Sequence, residues 1–294
     1  MTPVLVRQHL PHAGPVSRAD LGARARDWSE IQERMLVPLY EAVYERLEVG
    51  AGTRLLALGC GSGLALLMAA SRGAALTGVE PSSPQRLTLA RERLLSGAEE
   101  AHARGDIRLT DRSPGDRADA GTPAYNLVTA FEPIGCLEGD AEGLVGLLEA
   151  ATPRAERGAP VVLVGWGPPE RCATWGVLRA VAGPDSMARA GGPDGPPGGI
   201  GRLRQTPRDD LEEAARRAGL RPDGSGRVAC PFGYAGVDSA LRGLLSTGLF
   251  DPAVAATDQE QVDKELTEAL HPYRRRDGTV WMPNVFRYLI ARTP

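Results

Sequence analysis

The run Arg54-Leu-Leu-Ala-Leu-Gly-Cys-Gly-Ser-Gly63, followed by Glu80 seventeen residues past its last glycine, constrains the fold more than any other stretch of the chain. The apolar run Leu55 to Leu58 reads as a strand buried on both faces, the pattern of a parallel sheet covered by helices on either side. Gly59, Gly61 and Gly63 carry no Cβ, so the backbone can turn sharply and approach a ligand closely. Ser62 opens a helix whose first N–H groups lack partners within the helix and are aimed at whatever lies beyond it. A second strand, about 75–79, delivers Glu80 to the same end of the sheet, where a carboxylate accepts hydrogen bonds from ribose hydroxyls. The layout predicts a nucleoside-containing ligand bound outside the carboxyl ends of an open α/β sheet.

The spacing of the glycines narrows the ligand. A dinucleotide turn, G-x-G-x-x-G, requires glycine at position 64, and Leu64 stands there. The observed G-x-G-x-G resembles motif I of the class I S-adenosylmethionine-dependent methyltransferases. Tyr125-Asn-Leu-Val-Thr-Ala130 resembles that family's fourth strand, with Tyr125-Asn126 where Phe-Asp is usual. Residues 147–165 resemble its following helix, turn and fifth strand, and the resemblance spans about 28–168. It implies a doubly wound, Rossmann-like α/β fold with a seven-stranded, mainly parallel sheet, and S-adenosylmethionine as cofactor with S-adenosylhomocysteine as product. One position departs from the pattern. The family's acid two residues before the first glycine, which supports the cofactor's amino group, is Ala57 here.

The rest of the chain alternates in keeping with such a sheet. A helix over Asp27 to Leu47 follows from apolar residues at helical spacing, and residues 1–25 read as loose. Strands are expected at about 54–58, 75–79, 107–110, 125–130 and 161–165, with helices at about 62–72, 84–95 and 141–152. Beyond strand five the regularity lapses. Helices are expected at about 171–183, 209–218, 238–249 and 258–270, and strands at about 226–231 and 284–291. The glycine- and proline-rich run 190–199 supports no regular structure. The expected organisation is a lid segment (1–50), a cofactor-binding core (51–170), a flexible insertion (171–205), and the end of the sheet with a helical substrate cap (206–294).

Composition narrows the partners. A net charge of −3 gives no overall attraction to nucleic acid or an anionic membrane surface. One lysine, Lys264, stands against 33 arginines, and asparagine occurs twice, a skew that points to a high-GC bacterial genome. Cys60, Cys136, Cys172 and Cys230 lie far apart with no histidine cluster nearby, so reduced thiols and no metal site are expected in a soluble, cytoplasmic protein. A small-molecule substrate is expected, from bacterial specialised metabolism.

Site candidates follow from the resemblance and from position at strand ends. Gly59, Cys60, Gly61, Gly63, Glu80, Pro81 and Asp111 fall where the family holds its cofactor, Asp111 at the adenine end. Phe131 follows strand four, where its ring face suits the sulfonium, and Glu132 beside it suits orienting or deprotonating a substrate or holding the cofactor's amino group. Trp28 and Tyr40 come from the region that covers the cofactor in the family. Trp166, Trp175 and Trp281 are candidates for the substrate pocket, with core packing as the competing role. His271 is an acid/base candidate outside the core. Two other functions share the same motifs: an enzyme of this fold that performs cyclisation or rearrangement without methyl transfer, and a non-catalytic partner subunit. Ala57 keeps both in play.

Overall fold

The computed structural model describes residues 18–95, 107–112, 114, 125–182 and 209–294. Its elements in chain order are α1 (Arg18–Asp27), a π turn (Trp28–Gln32), a 3₁₀ turn (Glu33–Leu36), α2 (Val37–Arg46), β1 (Arg54–Leu58), α3 (Leu64–Ala70), β2 (Ala75–Val79) and α4 (Pro84–Leu95). There follow β3 (Ile107–Thr110), β4 (Leu127–Ile134), α5 (Asp140–Ala151), β5 (Pro160–Trp166), α6 (Ala173–Ala182), α7 (Asp210–Arg217) and β6 (Arg221–Ala229). The chain ends with β7 (Phe232–Tyr234), α8 (Val237–Ser246), α9 (Asp251–Ala256), α10 (Gln259–Ala269), β8 (Val280–Met282) and β9 (Val285–Arg292). No described helix is long and apolar enough to cross a membrane.

Seven strands form one sheet in the order β3-β2-β1-β4-β5-β9-β6. The pairings from β3 to β5 are parallel, and β9 runs antiparallel to both β5 and β6. Register brings Leu58 opposite both Val79 and Ala130, so β1 and β2 end at one level while β4 continues beyond it to Ile134. Between β1 and β4 the order reverses, and the crevice this creates is where ligands of open α/β sheets bind.

Two apolar layers cover the sheet. On one face Leu55, Ala57, Phe131, Val162 and Val164 pack with residues of α2, α3, α6, α8 and α10. On the other, Leu56, Leu58, Val128, Ala130 and Leu163 pack with α5 and α7. Residues of β1 alternate between the two layers, which is why its sequence is apolar throughout rather than at every second position. In α5 the buried residues Ala141, Leu144, Val145, Leu148 and Ala151 recur at helical spacing and form one stripe.

Several expectations need correction. Part of the stretch read as loose is helical, since α1 begins at Arg18; residues 1–17 lie outside the described residues, as does the glycine-rich run 190–199. The single helix expected over 27–47 is interrupted by the π and 3₁₀ turns. Phe131-Glu132-Pro133, read as a loop after strand four, lies within β4, where pairing with β5 is irregular between Ala130 and Ile134. The two-stranded β7–β8 sheet and α9 were missed: each has six or fewer residues in any one element, too few to show a period.

Candidate functional site

The glycine turn is built from three residues at positive φ: Gly59 (64°), Gly61 (58°) and Gly63 (83°). They serve different ends. A Cβ on Gly63 would stand 3.1 Å from Ala90 Cβ and 3.2 Å from its Cα, so this glycine lets α3 pack closely on α4. Gly63→Ala therefore adds left-handed strain to a backbone clash, and should cost about 2 kcal/mol or more in a urea titration. A Cβ on Gly61 would stand 3.0 Å from Glu33 Oε1 and 3.3 Å from Trp28 Nε1. The space above the turn is thus the meeting point of two lid side chains.

Glu33 is the residue that sequence reasoning missed. It is 2% exposed, and it caps the start of α3: the Ser62 and Leu64 N–H groups donate to its Oε1 at 3.2 and 3.4 Å, and the Ser62 hydroxyl donates to Oε2. Arg93 closes the network, donating to Glu33 Oε2 at 2.7 Å, to the Ser62 carbonyl at 2.8 Å and to the Ser29 hydroxyl at 2.8 Å. The only sequence signal was a charged residue on the inward face of an amphipathic segment. Trp28 stands over the turn. The Arg86 guanidinium lies 4.3 Å from its ring centroid, and its indole N–H is buried with no partner among the described residues.

Glu80 lies where expected, 1% exposed. Its Oε2 accepts from the Gly61 N–H at 2.9 Å, and its Oε1 from the Ser82 N–H at 3.2 Å and from the Ser82 hydroxyl. Cys60 is buried, and burial, with Glu80 and Glu33 nearby, pushes its thiol up to about 12, so its part in the turn is made by backbone. Phe131 is packed against Tyr40 and Tyr44, with ring centroids 4.8 and 5.7 Å away. Pro81 and Asp111 are exposed at the ends of β2 and β3.

Two spaces adjoin the turn. A recess of about 30 Å³ is lined by Trp28, Glu33, Ala57, Gly61, Glu80 and Glu132, among others. A larger cavity of about 350 Å³ runs over the ends of β1, β4 and β5 toward α5. Trp28, Leu36, Leu58, Gly59 and Glu132 line both. Glu132 is therefore at their junction. Its side chain is open to the cavity, while surrounding protein raises its pKa: burial dominates, Arg86 draws it down, and Glu80 and Asp140 add to the rise. It has no hydrogen-bond or ion-pair partner among the described residues. Asp140, also on the cavity wall, uses Oδ2 to accept the N–H groups of Gly135, Cys136 and Leu137 at 2.6, 3.1 and 3.1 Å, and its buried Oδ1 has no partner among the described residues.

The remaining candidates separate. Trp166 lines the large cavity and packs against Phe286, with tilted rings whose centroids are 4.7 Å apart. Trp175 is buried elsewhere, and Trp281, on β8, is 41% exposed beneath Arg275. His271 sits exposed in a 3₁₀ turn and lines neither space. All four cysteines are free and buried. Among the described residues no cluster of histidine, cysteine and acid could hold a metal ion.

Fold and crevice together define a class. The chain has the fold of the class I S-adenosylmethionine-dependent methyltransferases. A Bacillus halodurans protein whose methyltransferase assignment is itself a proposal superposes with a TM-score of 0.52 at 11% identity, over 87% of this chain and 98% of the other. The YcgJ protein of Bacillus subtilis does so with a TM-score of 0.51 at 13% identity, over 86% and 97%. Identities this low establish the architecture alone. No protein-family model and no curated protein sequence matches the chain.

The residue types suit the fold's cofactor in kind. An unpartnered indole N–H faces Gly61, and the Glu80 carboxylate follows the end of β2. The space beside them is closed, because a recess of about 30 Å³ holds a water or two. Entry of a nucleoside with an amino-acid arm requires Trp28 and Glu33 to move. Both ride on the π and 3₁₀ turns between α1 and α2, irregularities of the kind found at hinges.

Proposed function

We propose that the protein is an S-adenosylmethionine-dependent methyltransferase acting on a small molecule, with Glu132 as the base that addresses the acceptor. The observation that carries this reading is Glu132 itself: an unpartnered carboxyl at the junction of the glycine-turn recess and an apolar cavity, just past the end of β1 beside the switch in sheet order. When bound, the cofactor supplies a methyl group made electrophilic by its sulfonium. The chain's own task is then alignment and exclusion of water. Glu80 receives the ribose, Gly59 to Gly63 let the backbone approach, and Trp28 closes the turn from above.

Calorimetry with S-adenosylmethionine and S-adenosylhomocysteine tests the cofactor. Binding is expected, and Glu80→Ala should weaken it by about 10- to 100-fold, the loss of hydrogen bonds to a charged acceptor. A folded Glu80→Ala variant that binds as tightly as the parent removes Glu80 from the site. Incubation with labelled methyl donor and host extract tests the reaction.

A second reading keeps the fold and the acceptor cavity without methyl transfer. Two observations favour it: Ala57 in place of an acid, and a recess filled by the chain's own Trp28 and Glu33. It predicts ligand binding in the large cavity with no labelled product under any condition.

A further inference from the structure

We infer that the large cavity takes an apolar molecule carrying one cationic amine, its ammonium paired with the Glu132 carboxylate and its body lying among Leu144, Leu147, Trp166 and Phe286. The inference rests on reading this cavity as the acceptor site. Its volume, about 350 Å³, falls at the lower end of small-molecule pockets, enough for one compact organic ligand.

The charge of that ligand follows from what faces it. Glu132 is a carboxyl without a partner on a wall that is otherwise mostly apolar. Asp140, from the first turn of α5, adds a second acid to the same wall with one oxygen unpartnered. Glu80, from the end of β2, contributes further negative potential at Glu132. The opposing cation is Arg86 of α4, whose guanidinium is already directed to the Ser246 carbonyl at 2.9 Å and to the face of Trp28. An anionic ligand would meet the repulsion of Glu132, Glu80 and Asp140, with Arg86 as the opposing cation already engaged elsewhere. A neutral one would leave the carboxylate desolvated and unpaired, at a cost that a cation removes. The aromatic faces of Trp166 and Phe286 are compatible with a cation as well as with the apolar body.

Such a pair also places the proton transfer that a nitrogen nucleophile needs. The N–H bond of the ammonium breaks, an O–H bond forms on Glu132, both charges vanish and the nitrogen lone pair is freed. Burial of Glu132, which favours its protonated form, brings the two groups closer in proton affinity.

Two matched pairs of probes decide the matter: tryptamine against tryptophol, and phenethylamine against 2-phenylethanol, titrated calorimetrically into the full chain at pH 8. The amine of at least one pair should bind about tenfold or more tightly than its alcohol, the scale of a close charge pair. The preference should vanish in Glu132→Gln and decline as pH falls through the raised Glu132 pKa. Affinity of the variant for S-adenosylhomocysteine should match the parent's. Equal binding within both pairs, or no detectable binding of either amine, overturns the inference. So does a Glu132→Gln variant that loses S-adenosylhomocysteine instead, since the carboxylate would then belong to the cofactor's amino group. Selective amine binding without labelled product would sink the methyltransferase reading and leave the amine site standing.

Discussion

Glu132→Gln is expected to lower kcat for the methyl acceptor by about 10²- to 10⁴-fold, the range for loss of a positioned general base. Product formation from labelled donor measures this, with amine acceptors as substrates. KM for the donor should change little. The same variant should be more stable than the parent at neutral pH. Folding raises the carboxyl's pKa, chiefly by burial, so the folded state holds its proton more tightly than the unfolded chain. Stability is then greatest below the unfolded value of about 4.3 and declines as pH rises through the folded value. Glutamine removes that decline. Denaturant midpoints at pH 8 should therefore favour the variant, and the difference should shrink toward pH 4. The acid limb of the parent's kcat/KM profile should lie above the ordinary carboxylate range for the same reason. A variant that loses activity and also loses stability at pH 8 would point to a structural carboxylate.

The core of the sheet was legible because its signals are local. Consecutive apolar residues in β1 and the glycine turn after it each declare themselves within ten residues. The position of Glu80 after the second strand could be read from spacing, since the crossover between β1 and β2 is short. What escaped was set by long-range packing. Glu33 reaches Ser62 across 29 positions and Arg93 across 60, and no local pattern marks a residue that caps another segment's helix. Glu132 was expected beyond a strand end, yet β4 continues past it through an irregular pairing that only β5 reveals. Phe131, assigned to the cofactor by position, lines the recess at the glycine turn and packs beneath α2 beside Tyr40 and Tyr44. Along an irregular strand the face of a side chain cannot be counted from the turn. His271 drew attention through its chemistry, and the fold leaves it at the surface.

Glu33→Ala is expected to carry the largest stability cost. The side chain accepts from two backbone N–H groups, a buried hydroxyl and a guanidinium, and its removal deprives all four of a partner. Breaking a buried ion pair from one side costs about 3–5 kcal/mol. Arg93 keeps its contacts to Ser29 and Ser62 and is 22% exposed, so a cost of about 3 kcal/mol is expected, or roughly 6–12 °C in Tm for a chain of this size. Glu33→Gln retains an acceptor and should cost less, which separates the cap from the charge. Arg93→Ala combined with Glu33→Ala should cost less than the sum of the two, by about 1–3 kcal/mol, because the pair acts as a unit. The substitution also removes the carboxylate that crowds Gly61 and loosens the joint between α1 and α2. Binding of S-adenosylhomocysteine at a temperature where the variant is folded should consequently be faster than in the parent, read by stopped-flow quenching of Trp28. A less stable variant with an unchanged association rate would show that Glu33 secures the start of α3 without controlling access to the glycine turn.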